Sequence, residues 1–177
     1  MVKRKDIQYR VGTFKDTGSK MFATFLIYID SRTAMDGLDE EWGKGNWEFR
    51  WEFVEDNNWA IEGVMTTWDK DGTGVTRRDV GYPQEQKKKK GANDTEWLKD
   101  AISDALKRCA VQFGVGRELY TAPFLYTEEV KTYMDKKTGK NKLNSYDPLT
   151  SIGKGLIEGN IDKWYENLTS KTKATVK

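Results

Sequence analysis

The chain has 177 residues, 37% of them hydrophobic and 12% aromatic, which predicts one folded domain with room for a tail. Its 30 basic and 28 acidic residues leave a formal charge of +2, so a nucleic-acid site has to come from local clustering rather than global charge. Histidine is absent and Cys109 is the single cysteine, which excludes an imidazole base, a His- or Cys-built zinc site and an internal disulfide. The first residues, Met1 to Asp6, lead into no apolar run of signal-peptide type, and Met21 to Ile29 is too short to span a bilayer. The expectation is a soluble cytoplasmic protein.

In chain order, Met21 to Ile29 is β-branched, aromatic and nearly continuous, and predicts a central strand. Ser31 is placed to cap a helix in which Met35, Leu38 and Trp42 fall at helical spacing, and Gly43 to Asn46 ends it. Trp47, Phe49, Trp51 and Phe53 then alternate with Glu48, Arg50 and Glu52, the period of a strand with one apolar face. Asp56-Asn57-Asn58 predicts a turn, Trp59 to Trp68 the returning strand, Asp69 to Gly74 a second turn, and Val75 to Tyr82 a third strand. Pro83 closes this meander, and Gln84 to Asn93 reads as a polar, lysine-rich loop.

Asp94 or Thr95 can cap a long helix running to about Phe113, with Leu98, Ala101, Ile102, Ala105, Leu106, Cys109 and Phe113 as its apolar stripe. At 100° per residue, Lys107 falls opposite that stripe and Arg108 on its flank. After Tyr126 the chain turns Lys-, Thr- and Asn-rich, with a short helix expected around Ile161 to Leu168 and a disordered tail from about Ser170. Strand, helix, meander and long helix together predict an α+β fold with the long helix on one sheet face. The expected division is a domain over 1–126 and a C-terminal segment over 127–177.

Several residues carry a choice between function and plain packing. Lys107 and Arg108 suit phosphate contact, yet Asp104 stands three and four residues before them and would pair with either on a helix. Arg32 opens a helix where the dipole disfavours a cation, and Asp36 is its i,i+4 partner. The run Lys87, Lys88, Lys89 and Lys90 is either a solvated loop or a source of non-specific phosphate attraction. The aromatic stripe from Trp47 to Phe53 is expected to pack against the long helix rather than stack bases. Glu85-Gln86-Lys87 has the Glu-x-Lys spacing of metal-dependent nucleases, with Asp79 upstream. Asp69 to Gly74 begins like a calcium loop but has Val80 where the bidentate Glu belongs, and Gly12 to Gly18 lacks the Gly-Lys-Ser/Thr ending of a phosphate loop. No catalytic constellation emerges.

The stretch Ser103-Asp104-Ala105-Leu106-Lys107-Arg108-Cys109-Ala110-Val111-Gln112-Phe113-Gly114-Val115-Gly116-Arg117-Glu118-Leu119-Tyr120 resembles Rad52-type single-strand annealing proteins, in which a helix of the "DALKRA" kind runs into "FG-x-G" and lines a DNA groove. Asp79-Val80-Gly81-Tyr82, Lys70-Asp71-Gly72 and the Arg32 to Trp47 pattern are similar too, and Gly114 to Tyr120 looks like phage members ("GIGRYLY"). The resemblance covers about Ile7 to Tyr126. It implies an antiparallel three-stranded meander plus an extra N-terminal strand packed against one long helix. The function it implies is binding and ATP-independent annealing of single-stranded DNA in phage recombination and double-strand break repair, in the host cytoplasm, with no cofactor or metal and no enzymatic step. Arg32, Lys107 and Arg108 would line the inner groove. Lys70, Arg77, Arg78, Lys87, Lys88, Lys89, Lys90, Lys99 and Arg117 are grouped as outer or secondary contacts. The implied partners are single-stranded DNA, the annealed duplex intermediate, further copies in a ring or helical filament of roughly ten subunits, and a phage exonuclease or single-strand-binding protein. The partner-binding extension of eukaryotic members has no counterpart here, so recruitment of a RecA-like recombinase does not follow. The rival assignments are a nuclease built on Asp79, Glu85 and Lys87, and a single-strand-binding protein that does not anneal.

Overall fold

Ala23 and Phe25, buried in the middle of the first apolar run, lie on the central strand of a three-stranded sheet. The structure, a computed structural model, describes residues 1–55, 57–83 and 94–175. In chain order the elements are β1 (Gln8–Asp16), β2 (Met21–Tyr28), α1 (Ser31–Trp42), β3 (Trp47–Val54), β4 (Asn57–Trp68), β5 (Gly74–Gly81), α2 (Asp94–Gln112), β6 (Leu125–Thr127), β7 (Thr132–Asp135), β8 (Lys140–Leu143) and α3 (Ser151–Thr175). Short 3-10 turns occupy Arg4–Asp6 and Arg117–Thr121. The class is the expected α+β. The chain divides into two compact units, Met1–Asp6 with Ile29–Glu118, and Ile7–Tyr28 with Leu119–Lys177.

In the first unit β3, β4 and β5 form an antiparallel meander. Register places Trp47, Phe49, Trp51 and Phe53 on one face with Thr67, Met65, Gly63 and Ile61, and with Val75, Arg77, Asp79 and Gly81. The long helix α2 covers that face, burying Ala101, Ala105 and Cys109. Two glycines let it approach. A Cβ on Gly63 would stand 2.9 Å from the Ala105 methyl, and one on Gly81 would stand 2.2 Å from the Ala101 carbonyl oxygen and 2.5 Å from the Ala105 nitrogen. The short helix α1 packs beside α2, where the Trp42 and Phe113 rings meet edge-on at 5.9 Å and a Cβ on Gly37 would lie 2.6 Å from a Val115 methyl. Its N-cap is Asp30 rather than the expected Ser31. The Asp30 carboxylate accepts from the Thr33 N–H at 2.8 Å, and that bond is the main cause of its lowered pKa.

In the second unit the sheet order is β1-β2-β6, all antiparallel. The predicted N-terminal strand is therefore central, as expected, but in a sheet of its own. Its partner β1 escaped the periodicity because a bulge between Val11 and Phe14 breaks the alternation. The C-terminal helix is much longer than Ile161 to Leu168 and takes in residues from Ser170 that were expected to be disordered. Gly153 and Gly155 argue against a helix by propensity. Packing overrides this: a Cβ on Gly153 would meet the Glu129 carbonyl at 2.3 Å, and Ile157 and Ile161 are fully buried. A two-stranded hairpin, β7 with β8, occupies part of the Lys-rich segment. In the other unit, Asn57 and Asn58 belong to β4 rather than to a turn, and Asp56 and the loop over 84–93 lie outside the described residues.

Candidate nucleic-acid interface

Lys107 and Arg108 sit side by side on α2 in different surroundings. Arg108 donates from Nε to Asp79 Oδ1 at 2.8 Å, across the gap from helix to β5. Gln112 donates to the other Asp79 oxygen at 3.1 Å and to the Arg78 carbonyl at 3.0 Å. Asp104, the partner that helix spacing proposes, instead accepts from the Tyr82 N–H at 3.2 Å. Lys107 thus makes no ion pair among the described residues, while the charge of Arg108 is locally compensated. Next to them Cys109 is buried, its thiol facing the Gly63 carbonyl at 3.4 Å, and burial pushes that thiol up to about 11. It is a packing residue, protonated at neutral pH.

Arg32 is exposed on the first turn of α1 and makes no ion pair among the described residues, so the expected Asp36 pairing is not formed. Its charge contributes to holding the Asp30 carboxyl down, behind the larger effect of the Thr33 hydrogen bond. Lys70 is exposed in the β4–β5 turn. Asp69 shapes that turn by accepting from the N–H groups of Asp71 and Thr73 at 3.0 and 2.8 Å, which leaves the Lys70 ammonium to solvent.

Arg77 and Arg78 fall on opposite faces of β5, as alternation requires. Arg77 shares the α2 face with Asp79. Arg78 lies on the other face and pairs with Glu62 at 2.9 Å and Glu52 at 3.9 Å, so its charge is neutralised by the neighbouring strands. Lys99 is exposed on α2. Arg117 closes the Gly-x-Gly turn, with Gly114 and Gly116 at φ of 99° and 74°. Its guanidinium donates to the Val111 and Gln112 carbonyls at 3.3 and 2.9 Å, satisfying orphan acceptors at the end of α2. Glu85, Lys87, Lys88, Lys89 and Lys90 lie outside the described residues. Among the described residues no group of three Asp, Glu, His or Cys side chains is placed to hold a metal.

The aromatic stripe on β3 divides. Phe49 packs into the core under α2, and Trp47 donates from Nε1 to Asp39 at 2.9 Å. Trp51 and Phe53 remain 40% and 55% exposed, meeting edge-on at 5.6 Å, and the Phe53 ring also lies 6.3 Å from the ring of Trp97 on α2.

A second surface, which the sequence did not disclose, lies on the outer face of β1-β2-β6. Register brings Gln8 opposite Tyr28, Arg10 opposite Leu26, Lys15 opposite Phe22 and Thr24 opposite Tyr126. Leu26, Tyr126 and Phe124 are 54%, 60% and 77% exposed, and the Phe124 and Tyr126 rings lie 6.1 Å apart. The Arg10 guanidinium stands 5.7 Å from the Tyr28 ring centroid. The bulge in β1 is what puts Lys15 on this face, since it reverses the phase of the strand beyond Val11. No carboxylate is placed on this face by the β1-β2-β6 register, and Glu128 at its margin is held by Lys20 at 2.8 Å. Cations interleaved with exposed rings suit single-stranded nucleic acid, whose phosphates and unstacked bases they match. The signal in the sequence was the alternation of Arg10, Leu26 and Tyr126 with buried neighbours, hidden by the bulge and by the distance between β2 and β6 in the chain.

A three-stranded meander covered by one long helix, with basic side chains along helix and strands, is the β-β-β-α arrangement that the sequence resemblance implied. Residues 1–140 match the model of the Rad52/22 family, described as double-strand break repair proteins, and the chain belongs to that family. It is 39% identical over 108 residues to the single-stranded DNA-binding protein DdrA of Deinococcus deserti, a match spanning 60% of this chain and 47% of that protein. The DdrA of Deinococcus radiodurans is 37% identical over 102 residues, spanning 57% of this chain and 43% of that protein. The matched segment is thus less than half the length of either relative. No described helix is long and apolar enough to cross a membrane.

Proposed function

We propose that this protein binds single-stranded DNA and anneals complementary strands without ATP, in recombination and double-strand break repair. The family match over residues 1–140 carries the proposal, and two relatives that are single-stranded DNA-binding proteins support its ligand. Lys107 and Arg32 serve as inner contacts. Each is a cation on a helix surface with no ion pair among the described residues, so phosphate need not displace an internal carboxylate. Arg108 joins them with its Nε oriented by Asp79. Lys70, Arg77 and Lys99 act as secondary contacts, together with the lysines over 87–90. Arg78 and Arg117 have internal partners and act by holding the meander and the end of α2. Residues 1–126 carry DNA binding, and several copies assemble into a ring or filament that presents one long strand. The phage setting belongs to this proposal on the wording of Gly114 to Tyr120, and the cytoplasmic setting on the single cysteine, Cys109; both named relatives are bacterial.

The mechanism requires phosphate contact that leaves base edges exposed, since homology is then read by pairing alone. No protein group needs to transfer a proton or an electron. The test is the pairing of two complementary fluorescent oligonucleotides with and without protein, ATP and magnesium. Acceleration by protein alone is expected. Protection without acceleration would indicate a single-strand-binding protein, and magnesium-dependent cleavage would indicate the nuclease.

A further inference from the structure

We propose that the β7–β8 hairpin is a further contact for single-stranded nucleic acid, placed to hold phosphates of a strand running off the Lys15–Phe22 end of the β1-β2-β6 face. This rests on the single-strand binding proposed above. The hairpin with its flank, Lys131 to Leu143, carries five lysines against one aspartate. Asp135 is spent internally. It accepts from the Lys137 N–H and the Thr138 hydroxyl, each at 3.0 Å, and pairs with Lys142, while its own carbonyl accepts from the Gly139 N–H at 2.8 Å, with Gly139 at φ 64°. Lys131 is held by Asp147, which also takes Lys154 at 3.1 Å. Lys136, Lys137 and Lys140 are therefore left exposed at the tip with no ion pair among the described residues.

The hairpin also offers a ring. Register sets Tyr133 opposite Lys142 and Asp135 opposite Lys140, so exposed Tyr133 shares a face with two of the lysines. Three ammonium groups with no ion pair among the described residues at the turn, with an aromatic side chain on the face of Lys140, match the alternation of phosphate and unstacked base in a single strand. The location supports this occupant. Asn141 donates to Asp16 at 3.0 Å, fixing the hairpin against the end of β1, and that bond is the first cause of the lowered Asp16 pKa. Asp16 adjoins Lys15, whose strand partner is Phe22 on the cationic–aromatic face. A strand leaving that face at this end meets the hairpin lysines next.

The experiment compares the full chain with the Lys136→Gln/Lys137→Gln/Lys140→Gln variant. Fluorescence anisotropy with short and long oligothymidines and with a duplex is recorded between 50 and 200 mM salt. The triple variant should lose about tenfold or more on the long oligonucleotide, with a log–log salt slope shallower by about 2, since three contacts contribute about 0.7 each. Short oligonucleotides should bind nearly as before, and circular dichroism should be unchanged. A photoreactive thiothymidine strand should also cross-link to Tyr133 or its neighbours in the parent. Equal affinity and slope in parent and variant would overturn the hairpin contact while leaving single-strand binding intact. A loss confined to duplex would also overturn it. If the parent binds no oligonucleotide, single-strand binding itself falls, and the hairpin contact with it.

Discussion

Lys107 and Arg108 are neighbours in the chain with different surroundings. Lys107→Ala removes an ammonium with no ion pair among the described residues, so the fold should be unchanged. Single-strand affinity should fall about tenfold or more, as expected for a charge-assisted phosphate contact of about 1.5–3 kcal/mol. Arg108→Ala also removes the cation paired with Asp79, which keeps its hydrogen bond from Gln112, and should cost up to about 1 kcal/mol in stability given how much of the pair faces solvent. Urea denaturation beside oligonucleotide titration separates the two effects. Equal binding by Lys107→Ala and the parent would remove this residue from the groove. Gly81 provides a sharper stability test. A methyl there meets backbone atoms of α2 at 2.2 and 2.5 Å, and backbone cannot step aside as a side chain can. Gly81→Ala should destabilise by about 3 kcal/mol or more, read as a lowered urea midpoint.

At the level of elements, the β7–β8 turn depends on an ionised aspartate. The Lys142 hydrogen bond, followed by those from Lys137 N–H and the Thr138 hydroxyl, holds the Asp135 carboxyl down at about 2, against 3.8 for an ordinary aspartate. The folded pKa is depressed, so the contribution is complete above the unfolded value and is lost as pH falls through about 2. Amide signals of Lys137 and Thr138 should therefore hold their positions from neutral pH down to about 3 and shift below it, with a midpoint at about 2. In Lys142→Met the shift should begin at higher pH, because the largest of the three causes is gone. An unaltered titration in that variant would show that the backbone turn alone depresses the carboxyl. The same hairpin illustrates why loops of mixed polar composition resist sequence assignment: its register is set by Asp135 and Gly139, while its two strands have no apolar face to mark them.

At the level of the whole molecule, a single chain of this size offers a path for only a few nucleotides, whereas annealing needs a long strand presented with its bases outward. Assembly is the expected solution. Mass photometry at micromolar concentration should show a closed or filamentous oligomer rather than a 20.4 kDa species. A pure monomer that still anneals would remove assembly from the mechanism.

Where local pattern and tertiary environment agreed, the amino-acid sequence was sufficient. The alternation from Trp47 to Phe53, the turn residues Asp69 to Gly74 and the apolar stripe from Leu98 to Phe113 each specify an element through contacts close in the chain. The Ser103 to Tyr120 wording likewise led to the family that the match over residues 1–140 establishes. Tertiary structure decided the rest, because partners far apart in sequence make those choices. Asp79 takes Arg108 away from Asp104, and Glu62 takes Arg78 out of the pool of unpaired cations. Gly153, a poor helix residue, sits inside α3 because only a missing side chain fits against Glu129. The cationic–aromatic face exists only once β1, with its bulge, and β6, about a hundred residues away by chain numbering, are laid on either side of β2. Periodicity can say which residues share a face of one strand; which strands stand side by side is settled by burial of the opposite face, where Ala23, Phe25, Leu125 and Thr127 close the core.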